Sequence, residues 1–192
     1  MLKTYPKIKF VYSHPYDQLL TEYENKKFSK SQERELRHYI ENLQLKWRRV
    51  ENLVFRELET ITKNRWEEKE IKCYVVKYCK YSGISHPLTV RSENDFDYTI
   101  EALIHELCHI ILSYNIRKYK KIEQQLRKQF PKEDKGTLLH IYIIFIEFKV
   151  LKKVFGHDFV DKIIEQKQKT GLWRVWRVVL KEGKNLEKFF KN

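Results

Sequence analysis

Cysteine, glycine and proline are all scarce in this chain, with three, five and four copies among 192 residues. The three cysteines, Cys73, Cys79 and Cys108, form no CxxC pair, which excludes a disulfide scaffold and a four-cysteine zinc ribbon. We therefore expect reduced thiols and a cytoplasmic protein. With so few glycines and prolines to form turns, helices should dominate the fold.

Long apolar runs are also missing. The most apolar run, residues 141–146, is bounded by His140 and Glu147, whereas a membrane-spanning helix needs about 20 apolar residues. We therefore expect a buried helix here and no transmembrane segment. The first six residues have no apolar stretch of the kind found in a secretory signal, so none is expected.

The composition is typical of a soluble globular protein, with 42% hydrophobic and 34% charged residues. Its length predicts a single domain over residues 1–192. Lysine and arginine number 39 against 26 acidic residues, which gives a formal charge of +13. A surface of this charge favours anionic partners such as nucleic acid.

Hydrophobic periodicity predicts an α+β fold with a small sheet of three to four strands. Strands are expected at residues 8–12, 71–78 and 87–92, and Pro87 indicates an edge position for the third of them. Helices are expected at 31–63 (one helix, or two end to end), 98–115, 122–130, 138–155, 159–169 and 172–190. Thr137 is expected to cap the fourth of these helices and Gly156 to end it.

The most informative motif is HExxH, formed by His105, Glu106 and His109 inside the predicted helix 98–115. Histidines four residues apart lie about 40° apart on one helix face, so both can bind the same metal ion. Glu106 projects beside them, where it can deprotonate a metal-activated water. The pattern predicts a Zn²⁺ site with Glu106 as the catalytic base.

A catalytic zinc needs a third protein ligand and one open position. The next helix offers His140 and Glu147, which are seven residues apart and therefore lie on nearly the same stripe. We favour His140 over Glu147, because a neutral imidazole is easier to bury than a carboxylate. Both residues remain candidates for the third ligand.

This arrangement resembles the zincin metallopeptidases, over residues 71–156 in detail and elsewhere in outline. The resemblance implies a minimal zincin-like domain with a backing helix, an HExxH active-site helix, and zinc in a cleft beneath an edge strand. Residues 157–192 would then be a C-terminal helical extension. A small gluzincin-like peptidase would use Glu147 as third ligand. The SprT-like proteases, which degrade protein crosslinked to DNA, often carry the same HELCH string and a third histidine that His140 matches.

The function expected from this resemblance is zinc-dependent hydrolysis of peptide bonds in a polypeptide substrate. The strand at residues 87–92 would hold the substrate in an extended form. An oxyanion-stabilising donor is also expected, and five residues are eligible by type: Tyr142, His157, Tyr114, His86 and Arg91.

A basic stripe on the last predicted helix supports another interpretation. It comprises Arg174, Arg177, Lys181, Lys184, Lys188 and Lys191. The stripe is either an ordinary solvated helix face or a surface that binds nucleic acid, an acidic partner or an anionic membrane surface. One alternative function is therefore a metal-containing binding module without peptidase activity. A second is a helical interaction module in which HExxH occurs by chance.

Overall fold

A computed structural model describes residues 4–190 and has the predicted α+β fold. Within this range the strands are β1 (Lys7–Val11), β2 (Glu70–Val76), β3 (Gly83–Ser85) and β4 (Leu88–Arg91). The α-helices are α1 (His14–Tyr23), α2 (Lys30–Arg48), α3 (Glu51–Thr62), α4 (Phe96–Ser113), α5 (Ile116–Gln129), α6 (Lys135–Phe155), α7 (His157–Lys167) and α8 (Trp173–Leu186). A 3₁₀ turn, Glu187–Phe190, follows α8. Residues 1–3, considered above for a secretory signal, and Lys191 of the basic stripe lie outside the described range.

The four strands form one mixed sheet in the order β1-β2-β4-β3. Strands β1, β2 and β4 run parallel, while β3 is antiparallel to β4 and pairs Ile84 with Thr89. The predicted edge position of residues 87–92 is therefore wrong, because β4 is paired on both sides. Pro87 precedes Leu88, the first residue of β4, so its missing N–H removes no bond from the ladder. The edge next to β4 is β3, a three-residue strand that was not among the strands predicted from the sequence.

Contacts along the chain define two compact units, and helices α3 and α4 each contribute to both. The first unit comprises, among the described residues, 4–56 and 66–107. It contains the sheet and α1, and α2 packs on β1 and β2. Residues 31–63 were predicted as one helix or two end to end, and the structure has two, with α2 and α3 separated at residues 49–50. Helix α1, which packs on β2, was not predicted.

A buried carboxylate attaches β1 to the helices behind it. Glu51 accepts hydrogen bonds from the backbone N–H of Ile8 at 2.8 Å and from the indole N–H of Trp47 at 3.0 Å. It also pairs with the ammonium group of Lys7 at 2.9 Å. Because a buried carboxylate is costly unless it is well bonded, these three donors explain why Glu51 is tolerated in the core.

The second unit comprises residues 57–65 and 108–190 of the described range. Its centre is α6, on which α5, α7 and α8 all pack. The apolar run at 141–146 is buried, and α6 ends at Gly156 with φ of +87°, as expected for a glycine stop. The predicted cap at Thr137 is wrong: Asp134 caps α6 by accepting from the Thr137 N–H. Among residues 4–190, no helix combines the length and apolar character that crossing a bilayer would require.

Candidate metal centre

Helix α4 carries the HExxH residues on a largely buried surface. Its apolar residues Ile100, Leu103, Ile104, Leu107 and Ile111 are all buried, so the helix forms through packing on most of its circumference. His105 and Glu106 are each only 8% exposed. The helix is unbroken from Phe96 to Ser113, so His105 and His109 stay one turn apart on one face.

The start of α6 fixes His140. Asp134 caps the helix, and His140 Nδ1 lies 2.9 Å from the carbonyl oxygen of Gly136, four residues earlier. A carbonyl oxygen only accepts, so Nδ1 carries the hydrogen and donates it. In the neutral ring, Nε2 then holds the lone pair, which is the form of histidine that binds a metal.

Three imidazoles converge here. The rings of His109 and His140 have centroids 5.4 Å apart and are inclined at 73°. The ligand atoms of His105, His109 and His140 all lie within 4.8 Å of one another. Ligands on a tetrahedral zinc at about 2.1 Å are roughly 3.4 Å apart, so small side-chain rotations would bring this set to coordination distance.

A second group shares His105. Its ligand atoms come from Glu101, His105 and Glu147 and also lie within 4.8 Å of one another. Both glutamates are buried, with exposures of 1% and 0%. Glu101 was missed in the sequence, although it stands four residues before His105 and so extends the spacing of the HExxH histidines by one turn.

The two groups give His140 and Glu147 different surroundings. His140 accompanies both HExxH histidines, whereas Glu147 accompanies His105 and Glu101. A carboxylate beside a metal-binding histidine orients its ring and raises its basicity. The choice of His140 over Glu147 as third ligand stays a prediction. Glu101 is a further carboxylate close to His105 that the sequence analysis did not consider.

The edge strand β3 lies directly against Glu106. A Cβ atom built on Gly83 would stand 2.6 Å from Glu106 Cγ and 2.9 Å from its Oε1. No real Cβ tolerates the first of these distances, so the missing side chain at position 83 makes room for the carboxylate. The backbone of β3 therefore limits where the Glu106 side chain can go.

Two buried thiols lie within electrostatic range of Glu106. Burial raises the pKa of the Cys73 thiol well above its usual value, and the negative charge of Glu106 adds to the effect. Burial also raises the pKa of Cys79, with the Glu106 charge as the smallest contribution. Both thiols therefore favour the protonated form and add no negative charge near Glu106.

The five residues considered as oxyanion donors are dispersed. Tyr142 lies two residues after His140, about 200° around α6, where burial and Cys108 raise its pKa and keep the phenol protonated. Arg91 donates to the carboxylate of Glu93 and to the carbonyl of Cys79. His157 starts α7, His86 is exposed just before β4, and Tyr114 follows the end of α4.

No protein-family model, curated protein or solved structure matches this chain.

Proposed function

We propose that this protein is a zinc-dependent metallopeptidase of the zincin type, with His105, His109 and His140 as metal ligands. The observation that carries the proposal is the grouping of these three histidines within 4.8 Å, on elements that also place Glu106 next to His105. Glu147 is the alternative third ligand, and it shares His105 with Glu101.

The donor set suits zinc. Three neutral imidazoles and one open position are a common arrangement for catalytic zinc. The bond from His140 Nδ1 to Gly136 puts the lone pair of the neutral ring on Nε2, the atom that would bind zinc. His109 and His140 are half-buried rather than sealed, so a substrate has a route to the group.

Glu106 is the proposed general base. When bound, zinc would supply Lewis-acid polarisation of the scissile carbonyl and would acidify a water molecule. Glu106 accepts the proton of the attacking water and returns it to the leaving amine. The contact with Gly83 restricts the rotamers of Glu106, which helps to keep the carboxylate oriented for this transfer.

The substrate is a polypeptide that pairs in an extended form with β3. Strand β3 is at the sheet edge and its Gly83 touches Glu106, whereas β4 is paired on both sides. An extended peptide that adds to an edge strand gains main-chain hydrogen bonds without requiring a particular sequence. We therefore propose β3 as the substrate-binding strand, in place of residues 87–92 that were expected from the sequence. The buried thiols fit a reducing compartment, and we place the enzyme in the cytoplasm.

The experiment that tests this function is hydrolysis of an unfolded test protein, followed by electrophoresis, with and without a zinc chelator. Cleavage should stop with the chelator and return when zinc is added back. Glu106→Gln should lower the rate by about 10²- to 10⁴-fold while the zinc content stays the same. Glu67→Gln, at an exposed glutamate, is the matched control and should leave the rate unchanged. Undiminished cleavage by the Glu106→Gln enzyme would refute the proposal.

A further inference from the structure

A wide groove runs along the surface where α8 packs on α6, within the second unit. It has a volume of about 920 Å³. Its floor is apolar and consists of Phe145, Phe148, Val179 and Leu180. Leu180 is 39% exposed, so part of this floor is accessible to a partner.

Lysines line both walls of the groove. Lys149, Lys152 and Lys153 belong to α6, and Lys181 and Lys184 belong to α8. All but Lys149 are exposed, and they form no ion pair within residues 4–190. Lys181 and Lys184 are part of the basic stripe noted in the sequence. A recessed apolar floor between two cationic walls is complementary to a ligand with an apolar face and acidic edges.

One carboxylate of the chain itself already binds in this groove. Glu187, in the 3₁₀ turn after α8, pairs with Lys149 at 2.5 Å. This ion pair shows that Lys149, on the α6 wall, can bind a carboxylate.

The shape and surface of the groove argue against a nucleic acid or a membrane. The ammonium group of Lys149 lies 5.4 Å from the ring centroid of Phe145, and that of Lys152 lies 6.0 Å from the ring centroid of Phe148. Lysines therefore cover the ring faces on which the bases of a nucleic acid would stack. Membrane-binding helices present an outward apolar face to the lipid, whereas this apolar surface is the floor of a concave groove.

We propose that the groove between α6 and α8 binds an acidic amphipathic helix from a partner protein. The apolar face of that helix packs on the floor, and its Asp and Glu side chains pair with the lysines on both walls. This interaction is independent of the metal centre, so its failure would leave the peptidase proposal intact.

The test measures fluorescence anisotropy of a labelled synthetic peptide of about 14 residues, with Leu and Phe at helical spacing flanked by Glu. The peptide should bind the wild-type protein at about 0.15 M salt, and a scrambled peptide of the same composition should bind at least about tenfold more weakly. The double variant Lys152→Glu/Lys184→Glu should lose about tenfold or more in affinity for the first peptide. Both residues are exposed, so the variant should fold, and circular dichroism verifies this.

The matched control is Lys120→Glu/Lys128→Glu, which makes the same change in net charge on the exposed side of α5. It should alter the affinity by less than about twofold. Equal losses in the two double variants, or equal binding of the scrambled peptide, would mean non-specific attraction and would overturn the proposal. It would also be overturned if an oligonucleotide or anionic phosphatidylserine vesicles bound through the groove lysines while the peptide did not.

Discussion

The Cα atom of Gly83 faces the side chain of Glu106 so closely that a methyl group there would stand 2.6 Å from Glu106 Cγ. This contact joins the edge strand β3 to the carboxylate of the HExxH motif. In the proposed peptidase, it would connect the strand that holds the substrate to the carboxylate that acts as the base.

Gly83→Ala is expected to lower peptidase activity by about tenfold or more, since a displaced general base transfers protons poorly. The zinc content should not change, because the atoms nearest to the added methyl group all belong to Glu106, which is not a proposed ligand. Peptide hydrolysis and elemental analysis measure the two quantities. Gly171→Ala, where an added Cβ meets nothing within 4 Å, is the control and should retain full activity. Full activity of Gly83→Ala would argue against the proposed role of Glu106.

Glu101→Gln is expected to weaken zinc binding by about 10- to 100-fold, because loss of a carboxylate beside His105 reduces the basicity and fixation of that ring. Competition against a chromophoric chelator measures the affinity without relying on hydrolysis. Glu165→Gln on the exposed side of α7 provides a matched control. An affinity equal to that of the wild type would show that Glu101 does not support the site.

Glu51→Ala is expected to lower the free energy of unfolding by about 2 to 4 kcal/mol, since it leaves the buried donors of Ile8 and Trp47 without their acceptor. Denaturation in urea measures the change. Glu41→Ala, at a site that is 75% exposed, should change stability by less than about 0.5 kcal/mol. Similar losses in the two variants would contradict the anchoring role assigned to Glu51.

Asp17→Asn is expected to raise the melting temperature at pH 7. Burial raises the pKa of Asp17 above its usual 3.8, although the backbone N–H of Lys77 opposes this by donating to it. Because the pKa of Asp17 is higher in the folded than in the unfolded protein, the neutral carboxyl costs the fold nothing at a pH below the unfolded pKa. As the pH rises through the folded pKa, the buried group ionises and the folded state loses stability. The advantage of Asn should therefore disappear as the pH falls to 3.8 and below. Melting curves across this range measure it, and a gain that grows at low pH would have the wrong sign.

The sequence predicts elements with a clear apolar period and misses short or unusual ones. Helix α4 and strands β1 and β2 were expected within one or two residues, because each buries a regular face. Helix α1 was not predicted, although its Pro15 fits the first turn of a helix. Strand β3 has only three residues, too few for any period to be visible.

The candidate site was predictable only where one helix carries it. His105, Glu106 and His109 follow from the HExxH spacing, since one turn of helix fixes their geometry. The surroundings of His140 and Glu147 depend on how α6 packs, which no local pattern specifies. Glu101 was available from its spacing to His105, but a single glutamate in a buried helix is not a recognised part of the motif.

Metal analysis of the purified protein tests most directly whether His105, His109 and His140 bind one zinc ion. After dialysis against zinc and then against metal-free buffer, the wild type should retain about one zinc per chain. His109→Ala and His140→Ala should each lose it, whereas Glu147→Gln should retain it with lower affinity. Wild-type protein that retains no zinc, or a His140→Ala variant that retains it as tightly as the wild type, would contradict this account.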